Sequence, residues 1–182
     1  MTASSEALAR EMKAIACDLK TVEPDGSFSG YASRFGVVDL GRDLVVPGAF
    51  QESIARRGPR GIKMLFQHDP AEPIGVWLEV REDAYGLFAR GRVLPEVARG
   101  REVLALMRAG ALDGLSIGFR AVEGRTNPKS GVRRLTRVDL WEISVVTFPM
   151  LPEARVSAVK TARDDDLRLV TAIRRAAQAF NQ

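Results

Sequence analysis

One cysteine and one histidine are all that this chain of 182 residues carries of the side chains most used in metal and redox chemistry. Cys17 alone can form neither an internal disulfide nor a multi-thiolate metal site, which implies a reducing, cytosolic setting. A single imidazole excludes chemistry that needs two or more, most zinc sites included, so neither a metal nor any other cofactor is expected. If a histidine moves a proton here, it is His68. Aromatic residues are sparse at 7%, and none interleaves with the locally basic stretch from Arg125 to Arg137. That stretch reads as a solvated hairpin rather than a nucleic-acid surface. No apolar run approaches the roughly 20 residues that span a bilayer, and the opening MTASSEALAREMKA lacks the apolar core of a signal peptide. Nucleic acid and membrane are therefore not expected partners, and the chain is expected to stay in the cell that makes it.

What is present is the profile of a globular domain. Hydrophobic residues make up 46% and charged residues 27%, with a net charge of +4, and this length supports one hydrophobic core without staples. The reading divides the chain into a lead-in over 1–12, a domain over 13–160 and a tail over 161–182. Ile15, Cys17 and Leu19 alternate with polar neighbours as a half-buried strand does. Gly30 to Phe35 reads as a second strand, and Gly48 to Arg57 as a short helix closed by Gly58-Pro59. Ile62 to Gln67 is an apolar strand that stops at His68-Asp69-Pro70. Two hairpins follow: Ile74 to Arg81 with Leu87 to Leu94, and Leu115 to Val122 with Val132 to Leu140. Between them, Val97, Gly100, Leu104, Met107 and Ala111 fall at helical spacing, with Gly110 at the stop. Trp141 to Phe148 continues or follows as a strand. In the tail, Leu167, Val170, Ile173, Ala177 and Phe180 form one apolar stripe, an amphipathic helix that packs on the domain or binds a partner. About eight short strands with two or three helices make the fold mainly β with flanking helices, a barrel or a sandwich.

Three residues stand out chemically, each with a plain structural alternative. Ser116 lies between Gly114 and Gly118 in a GxSxG pattern, but a helix precedes it and a strand follows, the reverse of a hydrolase nucleophile elbow. A serine beside glycines in a strand is also an ordinary packing device. His68 ends a strand, where a general base would be rigidly held and still reach solvent, or where a loop histidine would simply be exposed. Glu142 is an acid within an apolar strand. Alternation places Leu140, Glu142, Ser144 and Val146 on one face, with Trp141, Ile143 and Val145 on the other. Glu142 either orients a histidine or pairs structurally with Arg137 or Arg120. Asp139, expected on the opposite face, and Asp69, tied up beside Pro70, are weaker candidates.

Lys63-Met64-Leu65-Phe66-Gln67-His68-Asp69, Gly110 to Phe119 and Leu140 to Pro149, in that order and spacing, resemble the signature segments of the tailed-phage prohead (procapsid maturation) proteases. Gly30-Tyr31-Ala32-Ser33-Arg34-Phe35, Pro47-Gly48-Ala49-Phe50 and Ile74-Gly75-Val76-Trp77 extend the resemblance from Gly30 to about Lys160. It implies a serine endopeptidase with a small closed β-barrel of the herpesvirus-protease type. Ser116 would be its nucleophile, His68 its base and Glu142 its third member, in place of the second histidine of the herpesvirus enzymes. It further implies cleavage of scaffold protein, or of a scaffold-like segment of the major capsid protein, inside the assembling prohead in the bacterial host cytoplasm. Self-cleavage commonly follows in that family, and self-association is left open. A catalytically inactive capsid-assembly or scaffold-binding protein of the same fold is the alternative, and a phage-derived gene transfer agent is a further source of such a chain.

Overall fold

The computed structural model of the protein describes residues 22–23 and 25–157. The expected strand at Ile15 to Leu19, the lead-in and the amphipathic tail lie outside the described residues. The elements run β1 (Ser27–Arg34), β2 (Asp43–Val45), α1 (Gln51–Gly61), β3 (Lys63–Phe66), β4 (Asp69–Glu82), β5 (Gly86–Val93), α2 (Ala98–Arg108), β6 (Gly114–Thr126), β7 (Arg133–Val146) and β8 (Val156–Ser157). Both expected hairpins form, as β4–β5 and β6–β7, and Trp141 to Val146 continues β7 rather than starting a new strand.

β7 organises the sheet. β6 runs antiparallel along one edge of it, while β2 and β3 pair parallel to it on the other, at Arg133–Leu135 and Glu142–Val145. The sheet continues through β4, β5 and β1 to β8. Gly114, at the start of β6, bridges Arg155 just before β8, and the amide of Leu115 donates to the carbonyl of Ala154 at 2.8 Å. The sheet thus curls round to meet its far edge at one rim. Its inner face is filled by Phe28, Phe50, Met64, Trp77, Leu87 and Leu135, among others, with Phe28 and Trp77 edge-to-face at 5.5 Å, a favoured aromatic geometry.

The two helices close the open sides. α1 begins where the Glu82 carboxylate accepts the amides of Gly48 and Phe50 at 2.8 and 2.7 Å, supplying acceptors that the first helical turn otherwise lacks. Gly58, at φ 63°, breaks it before Pro59, which is the stop that the Gly-Pro pair predicts. α2 ends in a Schellman motif: Gly110 takes φ 72°, its amide donates to Met107 and that of Ala111 to Leu106, the left-handed cap that favours glycine.

One expectation about β7 is corrected. The pairing with β6 skips Trp141, since Gly118 faces Glu142 and Phe119 faces Leu140. This extra residue is a β-bulge, and it changes the phase of alternation. Val138 and Leu140 point into the core with Ile143 and Val145. Leu140 is therefore not on the face of Glu142 and Ser144. Asp139 lies away from the core as Glu142 does, where Arg56 and Arg57 pair with it and the Trp141 indole donates to it at 2.8 Å.

Where β4 crosses β5 the barrel has no space for a side chain at Gly91: a Cβ there would meet the Met64 methyl at 2.4 Å and the Trp77 ring at 2.7 Å. Gly91→Ala is expected to destabilise the fold by about 1–3 kcal/mol through overpacking. That lowers the melting temperature by several degrees for a domain of this size, as calorimetry would read.

Candidate active site

The site forms where three strands meet. β3 and β4 are joined by only two residues, Gln67 and His68, with φ 53° and 62°. Positive φ at both positions of a two-residue hairpin is the signature of a type I′ turn, which ordinarily recruits Asn-Gly. An L-residue in this conformation costs of order 1–2 kcal/mol, and such strain gathers at functional sites. The turn is held by outside contacts: the Gln67 side-chain amide donates to Thr147 Oγ1 at 2.7 Å, and the His68 backbone N–H donates to Ser144 Oγ at 3.1 Å. The imidazole is thereby aimed back across β7 toward β6.

On β6 and β7 the register sets Ser116 opposite Ser144 and Gly118 opposite Glu142, so the four share one face and Glu142 lies diagonally from Ser116. His68 spans that diagonal. Its Nε2 is 2.9 Å from Ser116 Oγ and its Nδ1 is 2.6 Å from Glu142 Oε1. Both lengths fall within ordinary hydrogen-bond range. The second carboxylate oxygen, Oε2, accepts the Ser144 hydroxyl at 2.6 Å. Ser116 and Glu142 are 4% and 9% exposed and Ser144 is fully buried, whereas the His68 side chain keeps 42% of its exposure. The arrangement is a buried carboxylate and hydroxyl joined by a histidine that still reaches solvent. It can deprotonate the serine and hold the resulting imidazolium.

Ser116, His68 and Glu142, picked out from the sequence, are thus brought together in one chain of hydrogen bonds. Among the described residues, Asp69 accepts the nearby Ala71 amide and no other side-chain hydrogen bond or ion pair is made with it. Asp139 belongs to its arginine cluster, and its carboxyl is held below the usual range by the Trp141 indole and the guanidinium groups. The proposed structural partners of Glu142 are engaged elsewhere, Arg137 with Glu52 and Glu123 and Arg120 with Asp139. Two residues escaped the sequence reading. Ser144 was visible only as a polar residue two positions from Glu142. Gly118 is required because a Cβ on it would lie 2.0 Å from Glu142 Oε1; its signal was the second glycine of GxSxG. Among the described residues no three His, Cys, Asp or Glu side chains cluster as metal ligands. A cleft of about 130 Å³ opens beside Ser116, lined in part by Arg34, Asp39, Asp43, Leu115 and Met150.

The model of the caudovirus prohead serine protease family matches residues 16–167. The chain belongs to that family. Over 138 residues it is 35% identical to the prohead protease of Enterobacteria phage HK97, covering 75% of this chain and 61% of the phage protein's length. Among solved structures, the bacteriophage T4 capsid assembly protease superposes with a TM-score of 0.56 at 17% identity, over 68% of this chain and 82% of that one. The KSHV protease, in complex with a hexapeptide phosphonate inhibitor, superposes with a TM-score of 0.50 at 14% identity, over 80% and 76%. The fold is thus of the herpesvirus-protease type.

The hydrogen bond that the His68 ring donates to Glu142 raises the His68 pKa above its ordinary value, and burial opposes it. Because the folded value lies above the unfolded value of about 6.5, the ion pair stabilises the fold fully below pH 6.5. That contribution is lost as pH rises through the folded value. Proton NMR can follow the lone histidine directly. Its midpoint is expected above 6.5 in the native chain and lower in Glu142→Gln; a native midpoint at or below 6.5 would contradict the pairing.

Proposed function

We propose that this chain is a serine endopeptidase of prohead maturation, with Ser116 as nucleophile, His68 as general base and Glu142 as the group that orients and stabilises the imidazolium. The observation that carries the reading is the 2.9 Å contact of His68 Nε2 with Ser116 Oγ, made by a ring whose other nitrogen is held at 2.6 Å by a carboxylate. A serine hydroxyl is a poor nucleophile at neutral pH. Nε2 accepts its proton as Oγ attacks the scissile carbonyl, and the positive charge formed on the ring is met by Glu142. Nδ1–H donates to Oε1 throughout, so the free lone pair is on Nε2, facing Ser116. The same Nε2–H then protonates the departing amine, and water, activated by the neutral ring, releases the acyl group. The Ser144 hydroxyl occupies the second carboxylate oxygen of Glu142, which fixes the carboxylate plane toward His68.

Family membership supports the substrate assignment: scaffold protein, or the scaffold-like segment of the major capsid protein, cut inside the assembling prohead in the host cell, with self-cleavage to follow. The major capsid and scaffold proteins are the corresponding partners.

Ser116→Ala is expected to fold as the native chain does and to leave co-expressed capsid protein at full mass. A fluorophosphonate should label native Ser116 and not the variant. Glu142→Gln is expected to lose several hundred-fold to about 10⁴-fold in turnover, as carboxylate-to-amide changes do in other triads. Cleavage should also fade on the acid side as His68 protonates. Normal capsid processing by Ser116→Ala, with no labelling of the native serine, would instead favour a non-catalytic assembly protein of the same fold.

A further inference from the structure

We propose that one face of the β6–β7 hairpin and its neighbour β2 is a docking groove for an acidic peptide segment that also carries apolar side chains, and that this segment belongs to the protein cut at Ser116. The second clause rests on the protease reading above. The groove itself is separate from the catalytic cleft.

Strand register sets four side chains in one row across this face. Val38 bridges Leu44, Leu44 pairs with Arg134 of β7, and Arg134 pairs with Arg125 of β6. Residues directly opposite in a sheet point to the same side. All four line an open groove of about 760 Å³, together with Val132 and Lys129 of the hairpin. One half of the groove is therefore apolar and the other basic. No acidic and no aromatic side chain lines it.

The basic half lacks a counter-charge. Like charges directly opposite each other in a sheet repel, and Arg125 and Arg134 are such a pair. Neither of them, nor Lys129, forms an ion pair among the described residues, and the acids on this stretch of the strands are engaged elsewhere. Asp43 pairs with Arg133, which alternation turns to the opposite face, and Glu123 pairs with Arg137. Arg42, at the hairpin tip, gives its guanidinium to a neutral partner, the Ser130 carbonyl. Carboxylates arriving from outside relieve this repulsion, and arginine receives them through paired, charge-assisted hydrogen bonds.

The apolar half decides what kind of anion fits. Val38 is 44% exposed, and covering it favours a partner with apolar side chains. Single-stranded nucleic acid is held by aromatic stacking as well as by cations, and the lining offers no ring. A peptide that alternates carboxylates with apolar residues meets both halves. The tip is ordered in advance, since the Asn127 side chain accepts the amides of Lys129 and Ser130 at 2.9 and 3.2 Å. Arg125 follows Ser116 by about nine residues on β6, roughly 30 Å at the rise of a strand. The docked segment and the bond under attack therefore belong to different stretches of the partner.

The test measures fluorescence anisotropy of labelled peptides on the full chain. One peptide carries Glu and Leu in alternation, the second Glu and Ser, the third Lys and Leu, and a labelled oligo-dT is run beside them. The Glu–Leu peptide is expected to bind, the Glu–Ser peptide more weakly and the Lys–Leu peptide not at all. Arg125→Gln combined with Arg134→Gln should weaken Glu–Leu binding on the order of 10- to 100-fold, the range of hydrogen bonds to charged groups, and Val38→Ser should weaken it by about several-fold. Arg125→Gln alone should leave the melting temperature unchanged or higher, because it removes a repulsion; a clear fall would make the arginines part of the fold and overturn the inference. So would equal binding by the native chain and the double variant, no binding of the Glu–Leu peptide, or tighter binding of oligo-dT than of that peptide. Fluorophosphonate labelling of Ser116 is read on the same samples and should be equal in native chain and variants. Labelling without peptide binding overturns the groove and leaves the protease reading intact. Peptide binding without labelling supports the groove and overturns the protease reading.

Discussion

The register between β6 and β7 is the constraint on which the site depends. Setting Gly118 against Glu142 and Ser116 against Ser144 puts the carboxylate one step diagonal from the serine, a span that one imidazole bridges. A slip of one residue would turn every one of these side chains to the other face. The bulge at Trp141 locks this arrangement locally. It lets Leu140, Ile143 and Val145 all fill the core while Glu142 and Ser144 face away from it. The missing Cβ at Gly118 leaves the space that the carboxylate occupies.

Much of this was legible in the sequence. The hairpins, the stop of α1 at Gly58-Pro59 and the cap at Gly110 follow from turn chemistry and periodicity, because those signals act over a few residues. Ser116, His68 and Glu142 could be singled out as rare or oddly placed residue types, and the family resemblance joined them. What was not legible is equally local in origin. A bulge leaves no mark in a pattern of alternating residues, so Leu140 was assigned to the wrong face and Asp139 was separated from Glu142. The turn at Gln67-His68 carries none of the Asn-Gly signal of its type, because contacts from Thr147 and Ser144 hold it open. Ser144 read as one more polar strand residue. Its role as a tether between the His68 backbone and Glu142 requires knowing that β3 runs beside β7, a pairing between strands about 80 residues apart in the chain.

Charge is used differently on the two sides of Ser116. Toward His68, the single Glu142 carboxylate is matched to a ring that carries charge only when it is protonated. Toward the cleft, the Asp43 carboxylate is paired permanently with Arg133. The bulk of the ion pairs, such as those of Arg137 and Arg99, lie on exposed surface, where their individual contributions are small.

The barrel is joined at its rim by residues that come last in the described chain. Ala154 accepts the amide of Leu115, immediately before the serine, and Val156 pairs with Gly30 on β1. The seam of the barrel therefore lies one residue from Ser116. A cut before Ala154 would remove the carbonyl to which the Leu115 amide donates. Because the seam lies one residue from Ser116, the strand that carries the serine is anchored from the far end of the sheet as well as from β7.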